Sequence, residues 1–252
     1  MTQRAPFLSA PRACAIAHRG GSLEGVENTL PAFDHAVRLG YSHVELDVHL
    51  TRDGQVVIHH DPTLARVFGD PRAVADMTWS ELRQVRAATG ESVPLLSDLL
   101  EAHPDLFVTI ELKSDTVAPA LAEVLKQMDA VGRVCLGSFN PARTLAARQA
   151  LGVPVLWSPA HAQVARLWLA GFGLPVSLDA FAVVQIPPAW NGIAVVTPRF
   201  VHAAHKRGIA VQVWTVNDAP QMQTLLHMGV DGLMTDKPSL LRDIVESLGL
   251  WG

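Results

Sequence analysis

Residues 43–62 read HVELDVHLTRDGQVVIHHDP. The stretch breaks at Thr51-Arg52-Asp53-Gly54, and Asp-Gly between two apolar-rich runs is a turn signal. Strands are therefore expected over 43–48 and 56–60. Side chains two apart share a face of a strand, so Val44, Leu46 and Val48 fall on one side and Glu45 and Asp47 on the other. In a parallel barrel the apolar set packs under helices while the acids line the mouth.

Working outward, strand-like and helix-like segments alternate along the whole chain. ACAIAH (13–18) comes before NTLPAFDHAVRLG (28–40), whose Leu30, Phe33, Val37 and Leu39 recur at helical spacing up to Gly40. WSELRQVRA follows Thr78, a suitable cap. LFVTIELK (106–113), RVCLGS, VPVLWS, DAFAVV (179–184), IAVQVWTVN and VDGLMT then alternate with helical patterns. Eight strands near residues 14, 44, 108, 134, 154, 181, 211 and 232 predict an α/β fold of the TIM (β/α)8 barrel type. It forms a single domain over 1–252, with 62–105 as a small excursion after the second strand. The ribbon at 55–59 stands outside that count. A doubly wound open sheet competes, but HRGGSLEG after the first strand does not match GxGxxG.

The 252 residues suit one barrel, and the net charge of -4 without a lysine/arginine block argues against nucleic acid. Charged residues make up 17% and hydrophobic ones 49%, against roughly 25% charged in ordinary domains. That balance predicts a large core and leaves open an apolar surface for a homo-oligomer or a peripheral membrane contact. Cys14 and Cys135 lie in apolar runs and read as packing residues, not a disulfide. The longest uncharged run, 180–198, contains two consecutive prolines, Gln185 and Asn191, so no transmembrane helix is expected. MTQRAPFLSAPRACAIAHRGG lacks a signal-peptide core, and a cytoplasmic protein is expected.

The polar residues gather at the carboxyl ends of the strands, where barrel enzymes place their sites. Glu111 and Lys113 share a face at the end of LFVTIELK, His18 is in phase with Cys14 and Ile16, and Gln212 is in phase with Trp214. Glu45, Asp47 and Glu111 together would repel one another and shift upwards in pKa unless a cation sat among them. An all-oxygen set suits one divalent cation, Mg²⁺ or Ca²⁺, better than zinc. Arg19 and Lys113 beside it suit a phosphate group. His18 and His60 are placed to exchange protons with attacking and leaving oxygens. The constellation points to phosphoester cleavage.

These residues also fall in motifs that, across nearly the whole chain, resemble the glycerophosphodiester phosphodiesterases. The resemblance runs from AIAHRGG and VENTLPAF through VELDVHLTRDGQVVIHHDPTL, IELK and SFNP to VTPRFVHAAHKRGIAVQVWTVND and GVDGLMTDKP. It implies a TIM barrel that hydrolyses small-molecule glycerophosphodiesters to sn-glycerol 3-phosphate and an alcohol. It further implies His18 and His60 as the acid/base pair, His60 being preferred to His59 because it immediately precedes the aspartate. Arg19 and Lys113 are then phosphate ligands, Glu45, Asp47 and Glu111 hold the metal, and Trp214 walls the substrate pocket. Val26 stands where the family has proline, and ARVFGDPRAV departs from the family's usual loop, which bears on substrate preference.

Blander readings stand beside these. His18 alone would read as a core histidine, Glu111 with Lys113 as an ion pair, and Trp214 equally as core. Asp61 reads as an orienting partner for His60. Glu27 and Asn28 read as substrate contacts, or Asn28 as a helix cap. His161, His202, His205 and His227 lie in helix-like stretches away from the rim and carry no role. Trp157, Trp168, Phe172, Phe181 and Trp190 read first as packing or a subunit interface, and second as a greasy lip beside the site. A phospholipase D or sphingomyelinase D relative acting on membrane or lyso lipids, and a non-catalytic barrel binding a phosphorylated metabolite, are the rival functions.

Overall fold

The alternation over 43–48 is realised in a computed structural model that describes residues 6–8 and 13–251. Val44, Leu46 and Val48 are fully buried in the main apolar cluster, each contributing on the order of 1.5–3 kcal/mol of burial. Glu45 and Asp47 on the opposite face are also buried, in the barrel interior. Residues 1–5 and 9–12 of the stretch read for a leader lie outside the described residues.

The strands are β1 (Cys14–His18), β2 (His43–Leu50), β3 (Val56–Ile58), β4 (Phe107–Leu112), β5 (Val134–Gly137), β6 (Leu156–Trp157), β7 (Val183–Ile186), β8 (Ala189–Trp190), β9 (Ile193–Ala194), β10 (Ala210–Val213) and β11 (Gly232–Thr235). Parallel pairing runs in the order β6-β5-β4-β2-β1-β11-β10-β7, the nearly closed eight-stranded TIM barrel that the sequence predicts. Its two ends, β6 and β7, share no ladder among the described residues. There the Gln185 N–H donates to Ser158 Oγ at 2.9 Å, and the Gln185 amide spans the interior to Thr109 Oγ1 at 3.0 Å and Gln212 Oε1 at 2.8 Å. The seventh strand starts at Val183, later than the DAFAVV reading, because its ladder with β10 begins at Ala210↔Val183.

β3 pairs antiparallel with β2, as the TRDG turn requires. The excursion carries two single-turn helices, α1 (Ala65–Phe68) and α2 (Trp79–Leu82), over a satellite core that includes Val57, Leu64, Met77 and Leu82. Thr78 caps α2 through a capping box with Glu81. The helix stops at Leu82, short of the WSELRQVRA reading. The chain must turn back so that Pro94 accepts from the Ile58 N–H at 3.0 Å and Leu95 bridges Val57. A helix over Leu96–Ala102 then ends the excursion before residue 105.

The amino end of the barrel is plugged by Phe7 and Leu8 packed on Cys135, Val183 and Ala210. His43 points into this plug, stacked on Phe107 at 4.8 Å with its Nε2 2.9 Å from the Phe7 carbonyl oxygen. Both cysteines are buried and free. No helix is long and apolar enough to cross a membrane among the described residues.

Candidate active site

The HRGG segment after β1 makes the rim possible. Arg19, Gly20 and Gly21 have φ values of 53°, 80° and 105°, a left-handed run that favours glycine. A Cβ on Gly20 would lie 2.9 Å from Ala32, and one on Gly21 2.7 Å from Pro238, so both close approaches need glycine. The turn is tied down by Arg19 N–H to the Glu45 carbonyl oxygen and Asn28 N–H to the Arg19 carbonyl oxygen, both at 2.9 Å.

Asn28 does not cap the following helix. Thr29 occupies that position without a side-chain bond to the helix, while Asn28, at φ 58°, sends its Nδ2 to Asp47 Oδ2 at 2.9 Å. Asparagine tolerates this left-handed backbone better than most residues.

Glu45, Asp47 and Glu111 each offer an oxygen, and these oxygens lie within 4.8 Å of one another. Burial and then the neighbouring Asp47 and Glu111 carboxylates push Glu45 above the usual glutamate range. Lys113 Nζ reaches Asp47 Oδ1 at 3.1 Å and Glu111 Oε2 at 2.8 Å, and Arg19 Nε is 3.2 Å from Asp47 Oδ2. Burial alone would lower Lys113, but Asp47 and Glu111 outweigh it and hold the ammonium charged. Lys113 thus lies on the acids themselves.

The donor set suits a hard divalent cation. Oxygens around one Mg²⁺ or Ca²⁺ sit ~2.0–2.6 Å from it, so a spread under 4.8 Å lets all three share an ion. Asn28 Oδ1 is a buried acceptor without a hydrogen-bond donor, as a cation site would leave it.

His18 and His60 line the same cavity of about 620 Å³, together with Arg19, Glu45, Glu111 and Lys113. Each has a carboxylate on Nδ1, Asp236 for His18 and Asp61 for His60, both at 2.6 Å. His18 Nε2 lies 3.6 Å from Glu45 Oε2. Burial opposes the charged imidazole, but Glu45 and the Asp236 bond together raise His18 above the ordinary histidine value. Burial likewise opposes the Asp236 charge, but the bonds from His18, Ser22 and Asn217 hold it down at about 2. Trp214 lines the cavity and meets Phe139 edge-on at 5.5 Å.

Sequence reasoning gave no role to Asp236 or His161. Asp236 follows Met234 by two residues, so strand alternation could have placed it on the rim beside His18. His161 is a correction: it opens the helix after β6, lines the cavity, and packs against Trp190 at 5.0 Å. A residue on the first turn after a barrel strand belongs to the mouth, whatever face it would take further along the helix.

The aromatic-rich region divides. Trp157 packs on Phe181 and under Arg148, away from the cavity, whereas Trp168 and Trp190 line it. Trp190 and Ile193 pair across the β8–β9 hairpin and are 47% and 60% exposed, so one side of the cavity is an open apolar wall.

Three proteins show what the chain is similar to. A Mycobacterium tuberculosis protein described as probable glycerophosphodiester phosphodiesterase 2 is 37% identical, over 97% of this chain and 95% of its own. A lysophospholipase D of Mus musculus is 28% identical, over 92% of this chain and 86% of its own. The solved structure of an Oleispira antarctica phosphodiesterase, in complex with the product sn-glycerol-3-phosphate, aligns with a TM-score of 0.77 and 25% identity, covering 95% of this chain and 98% of that one. The profile of the glycerophosphoryl diester phosphodiesterase family matches residues 18–240, so the chain belongs to that family and is a phosphoric diester hydrolase.

Proposed function

We propose that the protein hydrolyses glycerophosphodiesters to sn-glycerol 3-phosphate and an alcohol, with Glu45, Asp47 and Glu111 holding one divalent cation and His18 and His60 moving protons. The observation that carries this reading is the sharing of one cavity by Glu45, Glu111, both histidines, Arg19 and Lys113, with Asp47 buried beneath within reach of the other acids. A bound Mg²⁺ or Ca²⁺ would supply Lewis-acid neutralisation of the phosphodiester oxygens. Arg19 and Lys113 add fixed positive charge at the phosphate.

The proton steps follow from the two imidazoles. The adjacent glycerol hydroxyl attacks phosphorus, one histidine accepts its proton, and the other protonates the departing alcohol oxygen. The new phosphorus–oxygen bond gives a cyclic phosphate as the alcohol bond breaks. Water then opens the ring with the two roles exchanged, which restores both protonation states. Asp236 and Asp61 fix the tautomers, because an ionised carboxylate only accepts hydrogen bonds and so keeps each proton on Nδ1.

A second reading, action on membrane or lyso lipids, is favoured by the apolar wall of Trp168, Trp190 and Ile193 and by the similarity to a lysophospholipase D. A panel of glycerophosphodiesters set against lysophosphatidylcholine separates the two. The first reading expects sn-glycerol 3-phosphate to be released fastest from soluble diesters. Preferred cleavage of the lysolipid, weakened about tenfold by Trp190→Ala, would install the second, as one lost apolar contact of ~1–3 kcal/mol allows. Turnover of neither substrate class would overturn both.

A further inference from the structure

The excursion reaches the reaction centre through one arginine. Arg66, on α1, is half exposed, yet its guanidinium satisfies two carboxylates that touch the site. Its Nη1 and Nη2 form a fork on Glu27 at 2.6 and 2.8 Å, and its Nε donates to Asp61 Oδ2 at 2.6 Å. Beyond Asp61, the other carboxylate oxygen holds His60 Nδ1 at 2.6 Å. Beyond Glu27, Oε1 also accepts from Arg19 Nη1 at 3.0 Å, and Arg19 Nε lies 3.2 Å from Asp47. The chain of contacts therefore runs His60–Asp61–Arg66–Glu27–Arg19–Asp47.

A forked arginine fixes both the direction and the plane of a carboxylate, which a lysine ammonium does not. With Asp61 held by Arg66 on one oxygen, its other oxygen is aimed at His60, which keeps the Nδ1 proton in place and leaves Nε2 for the substrate. With Glu27 held by the same guanidinium, Arg19 is kept pointing across the rim. Isolated exposed ion pairs stabilise little, so a surface arginine with three charged bonds toward a catalytic rim is better explained by orientation than by stability.

We propose that Arg66 is a positioning residue: it clamps Asp61 and Glu27 so that His60 and Arg19 present fixed faces to the phosphodiester. This rests on the reading of His60 as a proton-transfer group. The test compares wild type, Arg66→Ala, Arg66→Lys, His60→Ala and the His60→Ala/Arg66→Ala double variant on glycerophosphocholine. Arg66→Ala is expected to lower kcat by about 10–100-fold, as loss of an outer partner does, with KM changed by less than about threefold. Free guanidinium ion at a non-denaturing concentration should recover part of that kcat and leave wild type unaffected. Arg66→Lys should also lose kcat, because it lacks the fork, and it carries the test if the alanine variant does not fold.

In the His60→Ala background, Arg66→Ala should cost several-fold less than in wild type, because the branch through Asp61 is already gone and only the one through Glu27 and Arg19 is left to lose. Unchanged kcat in both Arg66 variants, a loss confined to KM, no recovery with guanidinium, or a full additional loss in the double variant would each overturn the proposal. Wild-type turnover by His60→Ala would instead overturn the proton-transfer reading beneath it.

Discussion

His18 and His43 lie on the same face of neighbouring barrel strands, and their surroundings drive them in opposite directions. Ile16 is in register with His43 and His18 with Glu45, so the two imidazoles sit at successive levels of one interior. His43, among Phe7 and Phe107, has a carbonyl oxygen and the Ser42 hydroxyl as its hydrogen-bond partners among the described residues, and burial pushes it down to about 4. His18, partly buried, is raised because Glu45 and Asp236 outweigh desolvation. Desolvation favours the neutral ring at both levels, and carboxylates decide where a charged one is tolerated. The barrel therefore separates a neutral, apolar end that holds it together from a charged end where the proposed chemistry is placed.

If that separation is right, substitutions at the mouth act on turnover and those at the plug on stability. The largest effect is expected for His18→Ala or His60→Ala, each lowering kcat by about 10²–10⁴-fold with little change in thermal midpoint. Near-normal steady-state rates in either would remove the histidine pair from the mechanism.

Next comes a stability effect at the plug. His43 binds a proton more readily unfolded than folded, so its contribution is complete above pH 6.5 and is lost as pH falls toward its folded value of about 4. The loss amounts to at most about 3 kcal/mol. Urea unfolding at a series of pH values should show a shallower acid decline in His43→Gln than in wild type. Identical slopes would mean that His43 is hydrated and charged in the fold.

A smaller change tests the mouth from behind. Asp236→Asn keeps the shape but removes the obligatory acceptor for His18 Nδ1, so kcat should fall by about 10–100-fold. A loss expressed only as a raised KM would show that Asp236 serves binding and not the histidine.

Much of this was legible in the sequence. Eight β/α units and the opposite faces of Val44–Val48 and Glu45–Asp47 follow from period-two alternation, which local chemistry fixes. The same alternation marks Asp236, since it continues the phase of Gly232 and Met234. What lay beyond reach depends on approach through space. Arg66 meets Glu27 across 39 positions, and nothing local in either segment announces the fork. The short β8–β9 hairpin contains an Asn191-Gly192 turn, which is readable, but Trp190 and Ile193 become a cavity wall only when the barrel brings them beside Trp168. His161 was misplaced because helical periodicity describes a face and not the height of a residue above the barrel.

In the proposed mechanism the three clustered carboxylates take up a cation needed for phosphodiester cleavage. The most direct measurement follows glycerophosphocholine hydrolysis by EDTA-treated protein during titration with Mg²⁺ or Ca²⁺, alongside Asp47→Asn. No turnover is expected without the ion, with saturable recovery in wild type and none in the variant at the same concentrations. Full turnover in EDTA, or equal recovery by Asp47→Asn, would contradict this mechanism.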